Sequence, residues 1–244
     1  MAIIWQFSDA HTRYEVRSAG SSIRLYTNGA FHTQYSPKNL FTGGVWDLLS
    51  IPALFTALQS SPEVLMLGVG GGSAIHQLQT LLQPKTITGI ELNPVHIEIA
   101  KTFFKLKSKN IKLIEADALT WVNRSKKRFD VLIDDLFIDS TADPVRPFKC
   151  DEQWINQLDK SVKDKGLLIQ NHLKKSDALA SATISKRYFQ SALLFTTPQY
   201  ENVVVALYRQ KVDARTGRLT ALNTIKQIEK KSLRRLEFKV QKIY

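Results

Sequence analysis

The sequence predicts an α/β fold: a mostly parallel sheet with helices on both faces, closed by a β-hairpin. Three observations predict it. From residue 63 onward, EVLMLGV, TITGIEL, IKLIEAD, FDVLIDD and GLLIQNH are short apolar runs that fit strands buried on both sides. The segments between them, 73–83, 94–106, 118–125, 151–163 and 175–189, carry helical periodicity, and strands alternating with helices build a parallel sheet. The block ends with SALLFTT, PQY and ENVVVALYR, two strand-like runs with no helix between them.

The elements follow in chain order. Residues 3–35 read as β, because YEVRSA and IRLYT alternate and Asn28-Gly29 stands between IRLYT and AFHTQY. That dipeptide tolerates positive φ at both central positions of a two-residue hairpin. Residues 43–59 read as helix in two pieces around Pro52. The tail from Leu219 to Tyr244 reads as a basic amphipathic helix, with Leu222, Ile225, Ile228, Leu233, Leu236, Val240 and Ile243 on one face. The expected organisation is an N-terminal β-strand region over 1–45, an α/β domain over 46–208 and the basic helix over 209–244.

Composition narrows the class. The chain has 244 residues, 43% of them hydrophobic, enough for one large domain with an appendage. No apolar run approaches the ~18 residues of a membrane span, and the N-terminus lacks a signal-peptide pattern. The single cysteine, Cys150, excludes an internal disulfide framework and a cysteine-based zinc site. A reducing, cytoplasmic setting is expected. Net charge is +12, and +8 of it falls in residues 209–244, where eleven Lys and Arg face three acids. The basic tail fits a solvated helix face, a nucleic-acid or acidic partner, or a membrane surface.

The stretch VLMLGVGGGSAIHQL, residues 64–78, joins a buried strand to a helix through Gly68, Gly70 and Gly72. Glycines there let the backbone turn sharply and approach a ligand that a Cβ would repel. Glu91 ends the next strand, 19 residues after Gly72, where a carboxylate can accept from ribose hydroxyls. Asp117 ends the strand after that, and with the Ala118 N–H it can read the adenine edge. Three consecutive strand ends thus converge on one nucleoside, since ligands of open α/β sheets sit at the carboxyl ends of the strands. Ser73 occupies the third position of a dinucleotide fingerprint, where glycine or alanine is wanted. The pattern therefore favours an adenosine sulfonium donor, S-adenosylmethionine or its decarboxylated form, over NAD. The closing hairpin resembles the usual ending of the methyltransferase-type Rossmann-like sheet.

FDVLIDD places Asp134 and Asp135 at the end of the fourth strand, pointing opposite ways, so that one faces the ligand. No Asn-Pro-Pro-Tyr type motif follows, which argues against methylation of exocyclic base amines. His76, His96 and His172 show no metal-ligand spacing, and no metal is expected. The segment FIDSTADPVRPFK, residues 137–149, is long for a strand-to-helix turn and suits a lid. Trp46 and Trp121 fit the core or the pocket wall.

From about Ile23 to about Leu168 the chain resembles the spermidine synthase family of polyamine aminopropyltransferases. LYTNGAFHTQY resembles its strand-turn-strand segment ending in Gln, which aligns with His32 or Gln34. TGGVWDLLSIPAL resembles the segment with a His/Gln-Glu-Met core, with Asp47 at its acid. LMLGVGGGS, GIELNP and EADA resemble the glycine loop and the two acid-bearing segments, and FDVLIDD puts Asp135 at the family's catalytic aspartate. The resemblance implies a transferase, with Asp135 as base and Asp47, Asp139 and Gln34 toward a small-molecule amine; dimers are common among relatives. This chain departs by carrying Gly71 where the family's loop has Asp, and Leu136-Phe137-Ile138-Asp139 where the family has Ser-Ser-Asp-Pro. Methyl transfer to a small molecule or RNA, and nucleoside binding without catalysis, stand as the alternatives.

Overall fold

The structure, a computed structural model, describes residues 1–138 and 145–244. Four strands, β1 (Ala2–Ser8), β2 (Arg13–Ala19), β3 (Ser22–Thr27) and β4 (Ala30–Tyr35), form an antiparallel meander. Asn28 and Gly29 both take positive φ, +51° and +84°, in the two-residue turn between β3 and β4. A helical stretch follows: α1 (Asp47–Ser50), continued by a 3-10 turn over Ile51–Phe55 with Pro52 in its first turn, where no N–H is needed.

The main sheet then builds from β5 (Glu63–Leu67), α2 (Ser73–Leu82), β6 (Thr86–Glu91), α3 (Pro94–Thr102), β7 (Ile111–Glu115), α4 (Ala118–Arg124) and β8 (Phe129–Asp134). It continues through α5 (Glu152–Lys160), β9 (Val162–His172), α6 (Lys175–Ser185), β10 (Ser191–Thr196) and β11 (Val203–Tyr208). The chain ends with α7 (Ala214–Glu229) and β12 (Lys239–Lys242). Strand order is β7-β6-β5-β8-β9-β11-β10-β12, with β5 to β9 mutually parallel and β11 antiparallel between β9 and β10. Strands β5, β6 and β8, and β9 from Gly166 on, are buried along nearly their whole length, as their apolar runs require, whereas the edge strand β7 is half-buried to exposed.

Alternation divides the core in two. Val131, Ile133, Leu167 and Ile169 face α1, α2 and α7, whereas Leu132 and Leu168 face α4, α5 and α6. The N-terminal sheet seats Tyr14, Val16 and Leu25 against Ile99 and Phe104, the end of α3 and the turn after it. Trp46 lies in the first core and Trp121 at the edge of the second. No helix among the described residues is long and apolar enough to cross a membrane.

The tail differs from the single helix its pattern suggests. The helix stops at Glu229, and Lys239–Lys242 become an edge strand that pairs with Leu193–Thr196. The alternation of Val240 and Ile243 about this strand sends them to opposite cores, so the seven apolar residues do not share one face. Ile228 is left exposed at the end of the helix.

Candidate active site

The glycine loop runs from the end of β5 to the start of α2, and its glycines stand there for different reasons. Gly68 has φ +80°, and a Cβ on it would run into the Asp135 carbonyl. Gly72 has φ +79°, caps α2 in the left-handed region and packs on Leu106. Gly70, at φ +52°, has open space where a Cβ would stand. At Gly71 a side chain would collide with Thr33 and with the Phe104 ring 2.8 Å away. The acid that the resembled family carries at this point therefore has its space filled by packed carbon.

Glu91 reaches into the loop from the end of β6. Its Oε2 accepts from the N–H groups of Val69 and Gly70, both at 2.9 Å, and its Oε1 accepts from Asn93 N–H at 2.9 Å. A carboxylate offers about four lone-pair sites, so these three bonds do not exhaust it. Asp117 is the N-cap of α4, with Oδ1 accepting from Thr120 N–H at 2.8 Å. The hydrogen bonds from Thr120 hold its carboxyl below the usual range, so it stays an acceptor. Ala118, buried beside it, opens the helix. Glu91 and Asp117 each thus serve the local fold while keeping acceptor capacity at the carboxyl edge of the sheet.

Asp134 and Asp135 part as alternation requires. Asp134, fully buried, turns toward α5 and accepts from Arg146 Nη2 at 2.8 Å on both oxygens, from Trp154 Nε1 at 2.9 Å and from Gln170 Nε2 at 2.9 Å. Burial works to raise its carboxyl, but the Arg146 guanidinium and these donors hold it below the usual range. Arg146 also donates from Nη1 to the Asn171 carbonyl at 2.9 Å. Just before it, Ile138 and Val145 exchange backbone hydrogen bonds of 2.9 and 3.0 Å, which pins the base of the segment between β8 and α5.

Asp135 turns to the other face. Its N–H donates to Leu67 O at 2.9 Å, tying it to the strand that feeds the glycine loop. Its Oδ1 accepts from Asn171 Nδ2 at 2.8 Å, and the described residues leave Oδ2 without a hydrogen bond. Burial pushes the carboxyl up to about 6, with Asp134 adding to the rise and Asn171, Arg146 and His32 opposing it.

His32 is brought to this region by a bulge. The ladder between β3 and β4 pairs Leu25 with Thr33 and Tyr26 with Phe31, which leaves His32 as the extra residue. Its ring centroid lies 5.2 Å from that of His96. His96 meets Thr27 Oγ1 through Nε2 at 2.9 Å, with Nδ1 3.9 Å from Glu91 Oε1. A histidine pair thus adjoins the acid that holds the glycine loop.

The expected substrate residues fare differently. Gln34 accepts from Arg24 Nε at 2.9 Å and donates to Ser22 Oγ at 3.2 Å, so its side chain is turned to its own sheet. Of the two positions that align with the family's Gln, His32 is the one among the groups that oppose the rise of the Asp135 carboxyl. Asp47 is 1% exposed, and its Oδ2 accepts from Gly43 N–H at 2.8 Å while its Oδ1 accepts from Gln77 Nε2 at 2.6 Å. It closes the loop before α1 and anchors it to α2. Asp139 lies outside the described residues. His172, fully buried, is pushed down to about 4 by burial and the Arg146 charge, and is therefore neutral. The described residues contain no group of three or more His, Cys, Asp or Glu able to hold a metal.

Sequence reasoning missed Asn171 and Arg146. The signal for Asn171 was the polar end of GLLIQNH on an otherwise apolar strand; Arg146 stood in a segment read only as a lid.

Comparison with known proteins agrees with this architecture. A family model described as a methyltransferase domain matches residues 58–205. Polyamine aminopropyltransferase 2 of Ralstonia nicotianae is 28% identical over 141 residues, 54% of this chain and 27% of that protein. The eEF1A lysine and N-terminal methyltransferase homolog of Drosophila melanogaster is 26% identical over 132 residues, 50% of this chain and 19% of that protein. The matches thus span a minor part of these relatives' own length. Among solved structures, a probable spermidine synthase from Corynebacterium glutamicum superposes with a TM-score of 0.76 at 12% identity, covering 99% of this chain and 91% of that one. Human methyltransferase-like protein 13 in complex with SAH gives 0.61 at 18% identity, covering 78% and 91%. At these identities the superpositions establish the fold.

Proposed function

Because this chain belongs to the methyltransferase-domain family, we propose that it is a transferase acting on an adenosine sulfonium donor, with Asp135 as the base that prepares an amine acceptor. The observation that carries the reading is Asp135 itself, aimed by Asn171, tied to the glycine-loop strand and pushed up to about 6. The nucleoside would lie along the strand ends, with the Gly70 backbone beneath the methionine-derived part. Glu91 would take a ribose hydroxyl, and Asp117 with the Ala118 N–H would read the adenine edge.

An alkylammonium has a pKa near ~10 and is not nucleophilic until it loses its proton. A carboxylate raised from its ordinary value to about 6 makes that transfer less uphill, by roughly 3 kcal/mol at 1.36 kcal/mol per pKa unit. The amine nitrogen then forms a bond to the carbon next to sulfur. The carbon–sulfur bond breaks with its electron pair going to sulfur, and a neutral thioether leaves. Alignment of nitrogen, carbon and sulfur supplies the rest.

Two donors satisfy this scheme. Aminopropyl transfer from the decarboxylated donor to a polyamine amine is the reading supported by the likeness to aminopropyltransferases. Methyl transfer from intact S-adenosylmethionine is favoured by the filled space at Gly71, which leaves no acid in the loop to meet a cationic aminopropyl group. The test is product analysis by mass spectrometry with each donor and a set of diamines, for the wild type and Asp135→Asn. Methylthioadenosine formed from the decarboxylated donor, and lost in the variant, is the expected result. S-adenosylhomocysteine from the intact donor moves the assignment to methyl transfer, and unchanged turnover in the variant removes Asp135 as base.

A further inference from the structure

Ten Lys and Arg between Lys211 and Lys242 are exposed, and among the described residues only Lys231 makes an ion pair, with Glu229 at 3.2 Å. Their placement is more telling than their number. Lys239 stands opposite Thr196, the last residue of β10. Because β10 runs in the same direction as the parallel strands, this is the end of the sheet that carries the glycine loop. Glu229, ending α7, accepts from Leu40 N–H at 3.1 Å, and the Arg235 carbonyl lies 3.4 Å from where a Gly43 Cβ would stand. A cleft of about 280 Å³ is lined by Lys38, Lys231 and Glu229 on one side and by Ser73, His76 and Gln77 of α2 on the other. Lys226, Lys230, Lys231, Arg234, Arg235 and Lys239 therefore gather toward the donor end of the sheet, beside a cleft that has Ser73, the first residue after the glycine loop, in its wall.

The structure also decides among the partners such a tail could serve. Insertion into a membrane surface needs an apolar helix face, but Gly217, Ala221 and Ile225 of α7 are spent against Phe55 and the first core. A protein interface needs a cluster of apolar or aromatic anchors. Here Leu219 and Ile228 stand exposed nine positions apart, and Phe238 is buried. What is left is a set of exposed cations, all but Lys231 without an ion pair among the described residues, which matches the charge of a phosphodiester backbone.

We propose that the C-terminal helix, the turn after it and strand β12 form a docking surface for the phosphate backbone of a nucleic acid, placed to hold that polymer beside the donor end of the sheet. The proposal rests on charge and placement and does not depend on which donor is used. The test is fluorescence anisotropy of the full chain with labelled ~20-nucleotide RNA and DNA strands across a salt series. Lys230, Lys231, Arg234 and Arg235 are together changed to Gln. A control of equal charge loss changes Lys107, Lys109, Lys126 and Lys127 to Gln, and thermal melting confirms that both fold. The tail variant is expected to lower affinity at least tenfold at ~0.1 M salt and to reduce the log–log salt slope by about 3, at ~0.7 per single-strand phosphate; the control leaves the slope within one contact. The RNA and DNA arms distinguish the two sources of the same backbone. No binding by the wild type at low salt, an equal loss in the control, or equal affinity for polyglutamate each overturns the proposal.

Discussion

Asn171 Nδ2 donates a 2.8 Å hydrogen bond to Asp135 Oδ1 across the ends of two adjacent strands, leaving the other carboxylate oxygen directed away from it. The bond fixes the rotamer of the candidate base and favours its charged form. Activity should therefore rise through an acid limb near pH 6, where Asp135 loses its proton. Replacing Asn171 by Ala removes a group that lowers the Asp135 pKa, so the limb should move to higher pH and the plateau rate should fall. A pH–rate profile of both proteins checks this. A limb that stays put would separate Asn171 from the titration.

The Arg146–Asp134 pair makes a stability prediction. Asp134 is fully buried, so Arg146→Met leaves a carboxylate without its cation. Breaking a buried pair from one side costs ~3–5 kcal/mol. Chemical denaturation should show a loss of that order, and the double variant Asp134→Asn with Arg146→Met should recover part of it. A double variant worse than Arg146→Met alone would contradict the pairing.

The loop glycines separate fold from binding. Gly68→Ala drives a Cβ into the Asp135 carbonyl at positive φ, so it should both destabilise the protein and abolish turnover. Gly70→Ala meets open space and costs only the ~1–2 kcal/mol of a left-handed residue. It should fold, melt a few degrees lower and bind nucleoside at least tenfold more weakly. Equal nucleoside affinity in Gly70→Ala and wild type would mean that the ligand does not cross this loop.

Asp47 predicts a pH dependence of stability. Burial pushes its carboxyl up to about 7, so between about pH 4 and 7 the unfolded chain has released a proton that the native state still holds. Stability contributed by this group is present below that window and is lost as pH rises through it, at up to ~1.4 kcal/mol per pH unit. Calorimetric melting at pH 5 and pH 8 should show a smaller difference for Asp47→Asn than for the wild type. The same difference in both would assign the slope elsewhere.

Much of this was legible in the sequence, and what was not has physical causes. The central parallel strands announced themselves because both faces are buried, and Asn28-Gly29 because only such residues accept two positive φ angles. The split of Asp134 and Asp135 followed from strand alternation alone. The direction of Gln34 did not, because the bulge at His32 breaks that alternation and depends on the partner strand. Asp47 was recognisable as an acid in the right segment, but its enclosure by Gly43 and Gln77 is a tertiary fact. Strand β12 was hidden for the same reason: four residues, two of them Lys, are a strand only because β10 offers an edge more than forty positions away.

A transferase of this kind requires a nucleoside site at the strand ends. Calorimetric titration of the wild-type protein with S-adenosylmethionine, its decarboxylated form and methylthioadenosine tests it. Saturable one-to-one binding of methylthioadenosine and of one of the two donors is the result predicted. Binding of none of the three by folded protein would contradict the reading of Gly70, Glu91 and Asp117, and with it the transferase.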